Sequence, residues 1–410
     1  MSAPVRKVVV LGAGAAGLSA GFALRDRGVD VTVLEAAPHA GGKLRSVRKD
    51  GFLLETGAVG LLDREGDLAP LCARLGVQLL PANAAARARY VERDGVVHRL
   101  GPGLLRAREL PGLSRLLFTS AEPRAGETVA AYFERRLGSA GGFLADALQT
   151  GIYAGDPSRL EARSAFPSLG RKRRRGRLSS FAGGLQDLVS GFVRSLGPAL
   201  RLNARVRAVL PGLGDGNPGH RVLLDDGELS CDAIVCALPA PDAAALFPAA
   251  AAGLRALEAA PLALVHFGVP IAAAGRYARS FGVLSPGRPV CGVLFPAALW
   301  PGRAPEGHSL VTAIAGGARY ADVPSLGDAA LEQVARDHLR RALSIDAGAP
   351  LGITRWPLAV PQPLPGHGAR IDALERLLPG RVLFAGAWYR GVSVLDCLRQ
   401  GLRTADALAR

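Results

Sequence analysis

The feature that most constrains this chain is residues 7–35, KVVVLGAGAAGLSAGFALRDRGVDVTVLE. An apolar run that predicts a buried strand ends at Gly12, a helical stretch follows, and a second strand ends at Glu35. Gly12 permits a tight turn, Gly14 lets the backbone approach a pyrophosphate, and Gly17 lets the helix pack on the strand. Glu35 is placed to bind a ribose diol. This order predicts a dinucleotide-binding fold, with FAD or NAD favoured over NADP.

The start of the helix predicts the phosphate site. Ala15 and Ala16 lie in its first turn, where unpaired N–H groups face an anion. A secretory signal is the alternative for this stretch, because Arg6 and Lys7 precede the uncharged residues 8–24. The glycine spacing and the second strand explain the same residues better. We therefore expect a mature N-terminus and a cytoplasmic protein.

Length and composition limit the remaining possibilities. A chain of 410 residues, 49% of them hydrophobic, can fill the cores of two or three domains. The best candidate for a membrane span, residues 233–265, is interrupted by prolines and charges.

The net charge of +15 favours anionic small molecules or an anionic membrane surface as partners, with a solvated basic surface as the alternative. Nucleic acid is not expected, because no binding signature accompanies the charge.

The five cysteines and seven histidines are scattered along the chain without the spacing of a metal site. Scattered thiols are typical of proteins from a reducing compartment. We therefore expect no metal centre, and a bound flavin would be the only redox group.

A second flexible segment follows the ribose acid. Gly41 and Gly42 precede the basic Lys43, and Gly57 ends a Glu-Thr-Gly sequence. In a two-dinucleotide-fold flavoprotein such a segment crosses the cofactor, where cations and N–H donors meet phosphate. An ordinary surface turn is the alternative.

The rest of the chain alternates between short elements. The predicted elements are a helix over 64–76, a hairpin over 87–100, broken helices over 101–155, a helix over 181–196, strands over 201–238 and 261–320, a helix over 328–343, and an extended connection over 357–365. The arginine-rich residues 171–177 predict a solvated loop, with lipid headgroup contact as the alternative.

The C-terminal segment carries a second glycine turn. RVLFAGAWYRGVSVLDCLRQG predicts a buried strand over 382–385, a turn with Gly386 and Gly391, and a helix from about Val392. The N-terminus of this helix would face the pyrimidine side of a flavin and stabilise its reduced anion by about 0.3 to 2 kcal/mol. We therefore expect the two distant glycine turns to converge on one bound flavin.

These residues resemble the oxygen-dependent protoporphyrinogen oxidase family, within the superfamily of FAD-containing amine oxidases. The matching stretches span nearly the whole chain and are GAGAAGL, GGKLRS, LETGAVGLL, TGIYAGDPSRLEARSAFPSL, FAGGLQDL, GVLFPAALWPGRAPEG, TAIAGGAR and AGAWYRGVSVLDCLRQG. The resemblance implies an α/β fold with a Rossmann-like FAD-binding domain that is discontinuous in sequence, an inserted mixed-sheet substrate domain, and a helical segment.

Six segments make up these domains. We predict 1–82, 182–260 and 380–410 for the FAD-binding domain, 83–97 and 261–379 for the substrate domain, and 98–181 for a helical segment that encloses the substrate or faces a membrane. Family members are often longer in this helical segment, so whether the shorter one here still holds a membrane is left open.

The resemblance also implies roles for single residues. Arg87 would pair with a substrate propionate, Gly151 would lie beside the porphyrinogen, and Ile314 would pack on its ring. Val206 would meet the adenine through its backbone. The positions that match flavin contacts are Glu35, Lys43, Trp356 and Val392. No side chain is identified as a catalytic base.

One hypothesis and three alternatives follow. The hypothesis is FAD-dependent oxidation of protoporphyrinogen IX to protoporphyrin IX, with dioxygen as acceptor giving hydrogen peroxide, aided by positioning of the macrocycle against the flavin. The alternatives are coproporphyrinogen III oxidation, a flavin amine oxidase or desaturase, and a tetrapyrrole carrier without turnover.

The expected partners are a porphyrinogen and, as an option, the surface of the cytoplasmic membrane. A homodimer is one alternative for the oligomeric state, which the sequence leaves open.

Overall fold

A computed structural model describes residues 5–86, 88–101, 104–167, 169, 176–212 and 219–408, which contain five sheets. The strands are β1 (Lys7–Leu11), β2 (Asp30–Leu34), β3 (Ser46–Lys49), β4 (Phe52–Glu55), β5 (Leu61–Asp63), β6 (Leu80–Pro81), β7 (Ala88–Arg93), β8 (Val96–Arg99), β9 (Arg177–Ser180), β10 (Leu200–Arg201), β11 (Val206–Leu210), β12 (His220–Leu224), β13 (Gly227–Cys231), β14 (Ala233–Cys236), β15 (Ala259–Pro270), β16 (Ser280–Leu284), β17 (Val290–Leu294), β18 (His308–Gly316), β19 (Gly352–Pro361) and β20 (Val382–Phe384).

Helices cover these sheets. The α-helices are α1 (Ala15–Asp26), α2 (Leu68–Leu75), α3 (Val129–Leu137), α4 (Gly141–Tyr153), α5 (Ala162–Ala165), α6 (Gln186–Leu196), α7 (Ala240–Leu246), α8 (Ala251–Arg255), α9 (Ile271–Ala274), α10 (Pro296–Leu299), α11 (Asp328–Leu343), α12 (His367–Arg376) and α13 (Val394–Leu408). The 3-10 helices are Gly42–Leu44, Ala84–Ala86, Ala107–Leu117, Gly138–Ala140, Gly197–Ala199, Pro248–Ala250, Gly275–Arg279 and Val323–Ser325.

The five-stranded sheet is parallel and collects distant parts of the chain in the order β10-β2-β1-β14-β20. Val8 to Leu11 in β1 are fully buried, because separate hydrophobic cores cover the two faces of the sheet. All strands point the same way, so the loops that follow β1, β2, β14 and β20 meet at one edge. This edge is where parallel α/β sheets bind ligands.

The seven-stranded sheet is mixed, in the order β19-β15-β18-β17-β16-β7-β8. The hairpin of β7 and β8 joins it through a parallel pairing of β7 with β16, and the neighbours of β15 are antiparallel. Val265, Val283 and Ala313 pack on one face against α11, through Leu331 and Leu339. The opposite face of this sheet is turned towards α4 and β4.

Several predicted elements are confirmed. The helix predicted over 64–76 is α2, and the helix predicted over 328–343 is α11 with the same bounds. The predicted hairpin is formed by β7 and β8, and its turn residues Asp94 and Gly95 have positive φ angles of 54° and 80°. Such angles are typical of tight hairpin turns with Asp-Gly.

Two predictions are wrong in detail. Phe181 does not begin a helix, because Gly184 adopts φ +80° in a turn and α6 starts at Gln186. Residues 357–361 are not a connection but the end of β19, which pairs with β15. Pro357 and Pro361 are tolerated there because β19 is an edge strand. Of the loop expected over 171–177, residues 171–175 lie outside the described part and stay a prediction, whereas Arg177 is not in a loop but begins β9.

Candidate active site

The first glycine turn follows β1 at the common edge of the parallel sheet. Gly12 has φ +94°, and a Cβ on Gly17 would lie 1.8 Å from the carbonyl oxygen of Gly12, so the helix packs directly on the turn. A Cβ on Gly14 would meet no atom within 4 Å. The turn is therefore closed towards the protein and open above Gly14. Ala15 and Ala16 begin α1 there without a side-chain cap, which leaves their end of the helix available to an anion.

Glu35 lies at the same edge, directly after β2. Its carboxylate accepts hydrogen bonds from the backbone N–H groups of Ala13 and Ala37, both at 2.9 Å. Its carbonyl accepts from Ala204 N at 2.8 Å, which brings Val206 at the start of β11 into the neighbourhood. The ribose acid and the predicted adenine position are thus brought together by the fold.

The Gly41-Gly42 segment closes over the first turn. Gly41 N donates to Ala13 O at 2.8 Å, and a Cβ on Gly42 would lie 3.6 Å from Cα of Gly14. Gly57 is packed so closely that its Cβ would lie 2.3 Å from Lys43 O. Backbone lies on both sides of the opening, as a phosphate-binding cradle requires.

Lys43 joins this cradle to the mixed sheet. Its ammonium group donates to the carbonyls of Leu358 and Ala359, the latter at 2.8 Å, and lies 5.8 Å from the centre of the Trp356 ring. Burial lowers the pKa of Lys43 from 10.5 to about 8. Trp356 Nε1 donates to Thr56 O at 2.6 Å. Two side chains therefore hold β19 against the nucleotide-binding segment.

The second glycine turn lies at the same edge. Gly386 and Gly391 have φ angles of +137° and +131°, and they follow β20, which pairs with β14. The helix after them, α13, packs on α1, because a Cβ on Gly401 would lie 2.2 Å from Ala16 O. The two turns predicted to converge thus lead into two adjacent helices.

The helix after the second turn begins later than predicted, at Val394 rather than near Val392. Ser393 and Asp396 cap it reciprocally, since Asp396 N donates to Ser393 Oγ at 3.1 Å and Ser393 N donates to Asp396 Oδ2 at 3.2 Å. Val392 packs beside a cluster that includes Tyr153 of α4. The second turn therefore borders both the cradle and the helical segment.

An apolar surface extends from this point across the mixed sheet. Its central row follows the strand register from β7 to β19 and consists of Val91, Leu284, Gly292, Ile314, Leu264 and Thr354. Gly151 of α4 lies over this row, since its Cβ would be 3.3 Å from a methyl carbon of Leu284. We call the surface that this row forms beside α4 the slot, with α4 in contact with it at Leu284. Gly151 and Ile314 are both placed at the slot.

Arg89 lies at the slot and was not identified from the sequence. Arg87 lies outside the described residues, so its role stays a prediction. Arg89 shares a strand face with Val91, because residues two apart on a strand point the same way. It stacks on Phe281, with 4.7 Å to the ring centre, and no described carboxylate pairs with it. Strand alternation counted back from Val91 could have identified it in the sequence.

A buried ionic cluster missed in the sequence supports the cradle from below. Glu55 accepts hydrogen bonds from Ser46 Oγ at 2.6 Å and Leu185 N at 3.2 Å, and the fully buried Arg303 lies 3.8 Å away. Burial raises the pKa of Glu55 from 4.5 to about 7. Glu55 directly precedes Thr56 and Gly57, so this cluster fixes the segment that faces Lys43.

Two features are absent from the described residues. They contain no group of three or more His, Cys, Asp or Glu side chains arranged to hold a metal ion. The described helices include none long and apolar enough to cross a membrane.

The geometry fits a flavin nucleotide. Two glycine turns, each followed by a helix, lie with Glu35 at one edge of the parallel sheet, and Lys43 ties this edge to the mixed sheet that forms the slot. This arrangement defines the class of two-domain flavoproteins. The family model described as flavin containing amine oxidoreductase matches residues 15–409, and the chain belongs to this family.

Similar proteins narrow the class. The chain is 27% identical over 474 residues to coproporphyrinogen III oxidase of Bacillus subtilis, covering 100% of this chain and 99% of that protein. It is 28% identical over 482 residues to the mitochondrial protoporphyrinogen oxidase of Nicotiana tabacum, covering 98% and 94%. A solved structure described as a putative protoporphyrinogen oxidase from Exiguobacterium sp. 255-15 has a TM-score of 0.83 at 22% identity, with 98% of both chains covered.

These findings confirm the expected fold class and cofactor. The protein is an FAD-dependent oxidoreductase that resembles the protoporphyrinogen oxidases. The FAD contacts of single residues are not tested by these comparisons and stay predictions.

Proposed function

We propose that this flavoenzyme oxidises protoporphyrinogen IX to protoporphyrin IX in three two-electron rounds, in which three molecules of dioxygen reoxidise the flavin and leave as three molecules of hydrogen peroxide. The observation that carries the proposal is the slot, which opens beside the second glycine turn and has Arg89 on its rim. Two relatives support a porphyrinogen as the substrate. They are the coproporphyrinogen III oxidase of Bacillus subtilis and the mitochondrial protoporphyrinogen oxidase of Nicotiana tabacum.

The shape of the slot suits a flat apolar macrocycle. Leu284 and Ile314 are half-buried, so their side chains keep surface for a ligand. Gly292 lies between them in the register and has no side chain, so no side chain projects from the surface at this position. Burying such a ring on this surface contributes about 25 cal/mol for each Å² of apolar area removed from water.

Arg89 supplies the charge that such a ligand needs. A porphyrinogen carries propionate carboxylates at its edge, and a guanidinium binds a carboxylate through two parallel hydrogen bonds. Because Arg89 has no described carboxylate partner, its charge is available to a ligand. Arg89 lies two residues before Val91 of the central row, on the same face of its strand. The edge of a macrocycle bound over the central row would therefore lie at Arg89.

Positioning is the main contribution of the protein to the reaction. Bound FAD supplies a two-electron acceptor, and Glu35, Lys43 and the two glycine turns would hold it at the mouth of the slot. Leu284, Ile314 and Gly151 would then orient a bridge carbon towards it. Holding reacting atoms about 3 to 3.5 Å apart can supply several orders of magnitude in rate. No side-chain base is assigned.

The first test combines cofactor and substrate. We expect the purified protein to be yellow, and the flavin absorbance to bleach when protoporphyrinogen IX is added without oxygen. Admission of oxygen should restore the absorbance and release porphyrin fluorescence and hydrogen peroxide. A yellow protein that does not bleach with any porphyrinogen, but bleaches with simple amines, would identify an amine oxidase instead.

The second test compares three arginines of one hairpin region. Arg89→Ala should raise the KM for protoporphyrinogen about tenfold or more, because a charge-assisted pair contributes about 1.5 to 3 kcal/mol. Arg99 on β8 is exposed and pairs across the hairpin with Tyr90, so it belongs to the other face. Arg99→Ala is the matched control, and Arg87→Ala tests the prediction from the sequence. An unchanged KM in Arg89→Ala with a large change in Arg87→Ala would restore that prediction.

Coproporphyrinogen III is the second candidate substrate. The relative from Bacillus subtilis, named coproporphyrinogen III oxidase, supports it at 27% identity over 100% of this chain. Four carboxylates instead of two would need basic groups on more than one side of the slot. Rates of porphyrin fluorescence with both substrates decide between them, and rapid product from coproporphyrinogen with none from protoporphyrinogen would reject our first choice.

We also propose that the helical segment touches the surface of the cytoplasmic membrane. Leu117 and Phe118, at the end of the Ala107–Leu117 helix, are 81% and 85% exposed, and Arg115 lies in the same last turn. Apolar side chains rimmed by arginine suit an anionic bilayer surface. Sedimentation with anionic vesicles should fall when both residues are replaced by serine, and equal sedimentation would reject the proposal.

A further inference from the structure

One buried side chain holds both ends of the loop between β20 and α13. Gln400, on the second turn of α13, accepts a hydrogen bond from Gly386 N at 2.8 Å and donates one to Gly391 O at 3.3 Å. Gln400 is 5% exposed, and its two bonds span the whole loop from one glycine to the other.

The rest of this loop is tied to the outside of the domain. Trp388 Nε1 donates to Leu238 O at 2.8 Å, and Arg390 donates to Asp372 at 2.6 Å and to Glu375 at 2.9 Å. These contacts fix the outer part of the loop. The inner ends, at Gly386 and Gly391, are the parts that border the cradle, and both depend on Gln400.

We propose that Gln400 is a positioning residue that sets the place of the second glycine turn against the flavin. Both glycines hold φ angles that side-chain-bearing residues rarely adopt, so their conformations are not fixed by local backbone preference. A glutamine amide, with one acceptor and one donor, can hold both ends at once. Without it, the N–H groups of the turn would lose their fixed direction towards the cofactor.

The position of Gln400 also couples this loop to the first glycine turn. Its neighbour Gly401 packs on Ala16 of α1, and Ser19 Oγ donates to Leu398 O at 3.0 Å. The helix that carries Gln400 is therefore locked to the helix of the first turn. This pair of helices, α1 and α13, fixes the distance between the two glycine turns. Gln400 holds the loop in place relative to α13 through its two hydrogen bonds.

The proposal rests on the proposed location of the FAD site and not on the identity of the porphyrinogen. Its test uses FAD alone. Gln400→Met keeps the volume of the side chain and removes both hydrogen bonds, so we expect the Kd for FAD to rise about tenfold. Gln333→Met is the matched control, because Gln333 is a glutamine of α11 whose amide donates to Asp337, and its Kd for FAD should equal that of the wild type.

A second variant covers the case in which Gln400→Met does not fold. Gln400→Glu keeps an acceptor for Gly386 N but places a negative charge beneath the turn. We expect a more negative midpoint potential for its bound flavin, because the charge disfavours the reduced anion. The unfolding of the apo-protein separates a local role from a structural one.

Loss of apo-protein stability with an unchanged Kd and an unchanged potential would overturn the proposal. An unchanged Kd in a well-folded Gln400→Met would do the same. If porphyrinogen oxidation fails while these FAD measurements behave as expected, the substrate assignment is wrong and the role of Gln400 stands.

Discussion

The cradle and the slot are built on opposite principles. In the cradle, the missing side chains matter: Gly12, Gly14 and Gly17 let backbone approach backbone or leave space for a ligand. In the slot, side chains from different strands form the surface, and their alignment depends on the register of the mixed sheet. A change in the cradle should therefore affect cofactor binding or folding, whereas a change in the slot should affect substrate alone.

The largest effect is expected from Gly17→Ala. Its Cβ would lie 1.8 Å from Gly12 O, and a backbone atom cannot move away cheaply, so we expect a loss of about 3 kcal/mol or more. Denaturant unfolding of the apo-protein measures it. Gly14→Ala is the control, because its Cβ meets nothing within 4 Å and should weaken FAD binding without destabilising the apo-protein. Equal stability of the two variants would contradict this account of the cradle.

The next effect tests whether the slot is separate from the cradle. A Cβ on Gly151 would already lie 3.3 Å from a methyl carbon of Leu284, so Gly151→Leu would displace Leu284 from its place in the slot, and we expect kcat/KM for the porphyrinogen to fall about a hundredfold. The visible spectrum and the Kd for FAD should stay as in the wild type. Ile152→Leu, one residue further and 45% exposed, serves as control. A loss of FAD in Gly151→Leu would show that the slot and the cradle are not independent.

A pH effect of intermediate size is expected beneath the cradle. Because the pKa of Glu55 is raised from 4.5 to about 7, the folded protein holds a proton that the unfolded chain has lost between these values. Its contribution to the free energy of unfolding is therefore full at low pH and falls as the pH rises from about 4.5 to about 7. Arg303 and Ser46 favour the ionised form and limit the size of the effect.

Unfolding measured across this range should show a shallower fall in Glu55→Gln. The exposed Glu306→Gln is the control and should keep the slope of the wild type. The same slope in all three proteins would show that Glu55 does not titrate in this range.

The smallest effect concerns Trp356, whose hydrogen bond to Thr56 connects the mixed sheet that forms the slot with the cradle. Trp356→Phe removes the hydrogen bond to Thr56 O, which contributes about 1 kcal/mol, so we expect changes of a few fold in both the Kd for FAD and the KM. Trp300→Phe is the control for the loss of an indole N–H, because it removes a similar bond, to Leu80 O. If Trp356→Phe changed only one of the two constants, Trp356 would belong to one region rather than to both.

Much of the cradle could be predicted from the sequence. The strand, the turn and the acid are contiguous in residues 7–35, and the spacing of Gly12, Gly14 and Gly17 follows from local geometry. The start of the helix after the second turn was predicted two residues early. Ser393 and Asp396 form the cap that decides it, and this pattern was visible in the sequence.

Less of the slot could be predicted from the sequence. Gly151 and Ile314 were identified through resemblance to a family, and nothing in their own sequence neighbourhood explains why they face one another. Arg89 was missed, although strand alternation could have found it. The pairing of Glu55 with Arg303 was not visible at all, because the two residues are far apart in sequence and charge alone does not predict a buried contact.

The sequence by itself determined the nucleotide-binding strand, turn, helix and acid, because each depends on backbone conformation over a few neighbouring residues. Tertiary structure decided which strand faces meet in the slot, where Gln400 reaches, and how β20 returns the second turn to the edge of β1. The physical reason is that register and packing arise from contacts between residues hundreds of positions apart. No local pattern of glycine, charge or hydrophobicity encodes those contacts.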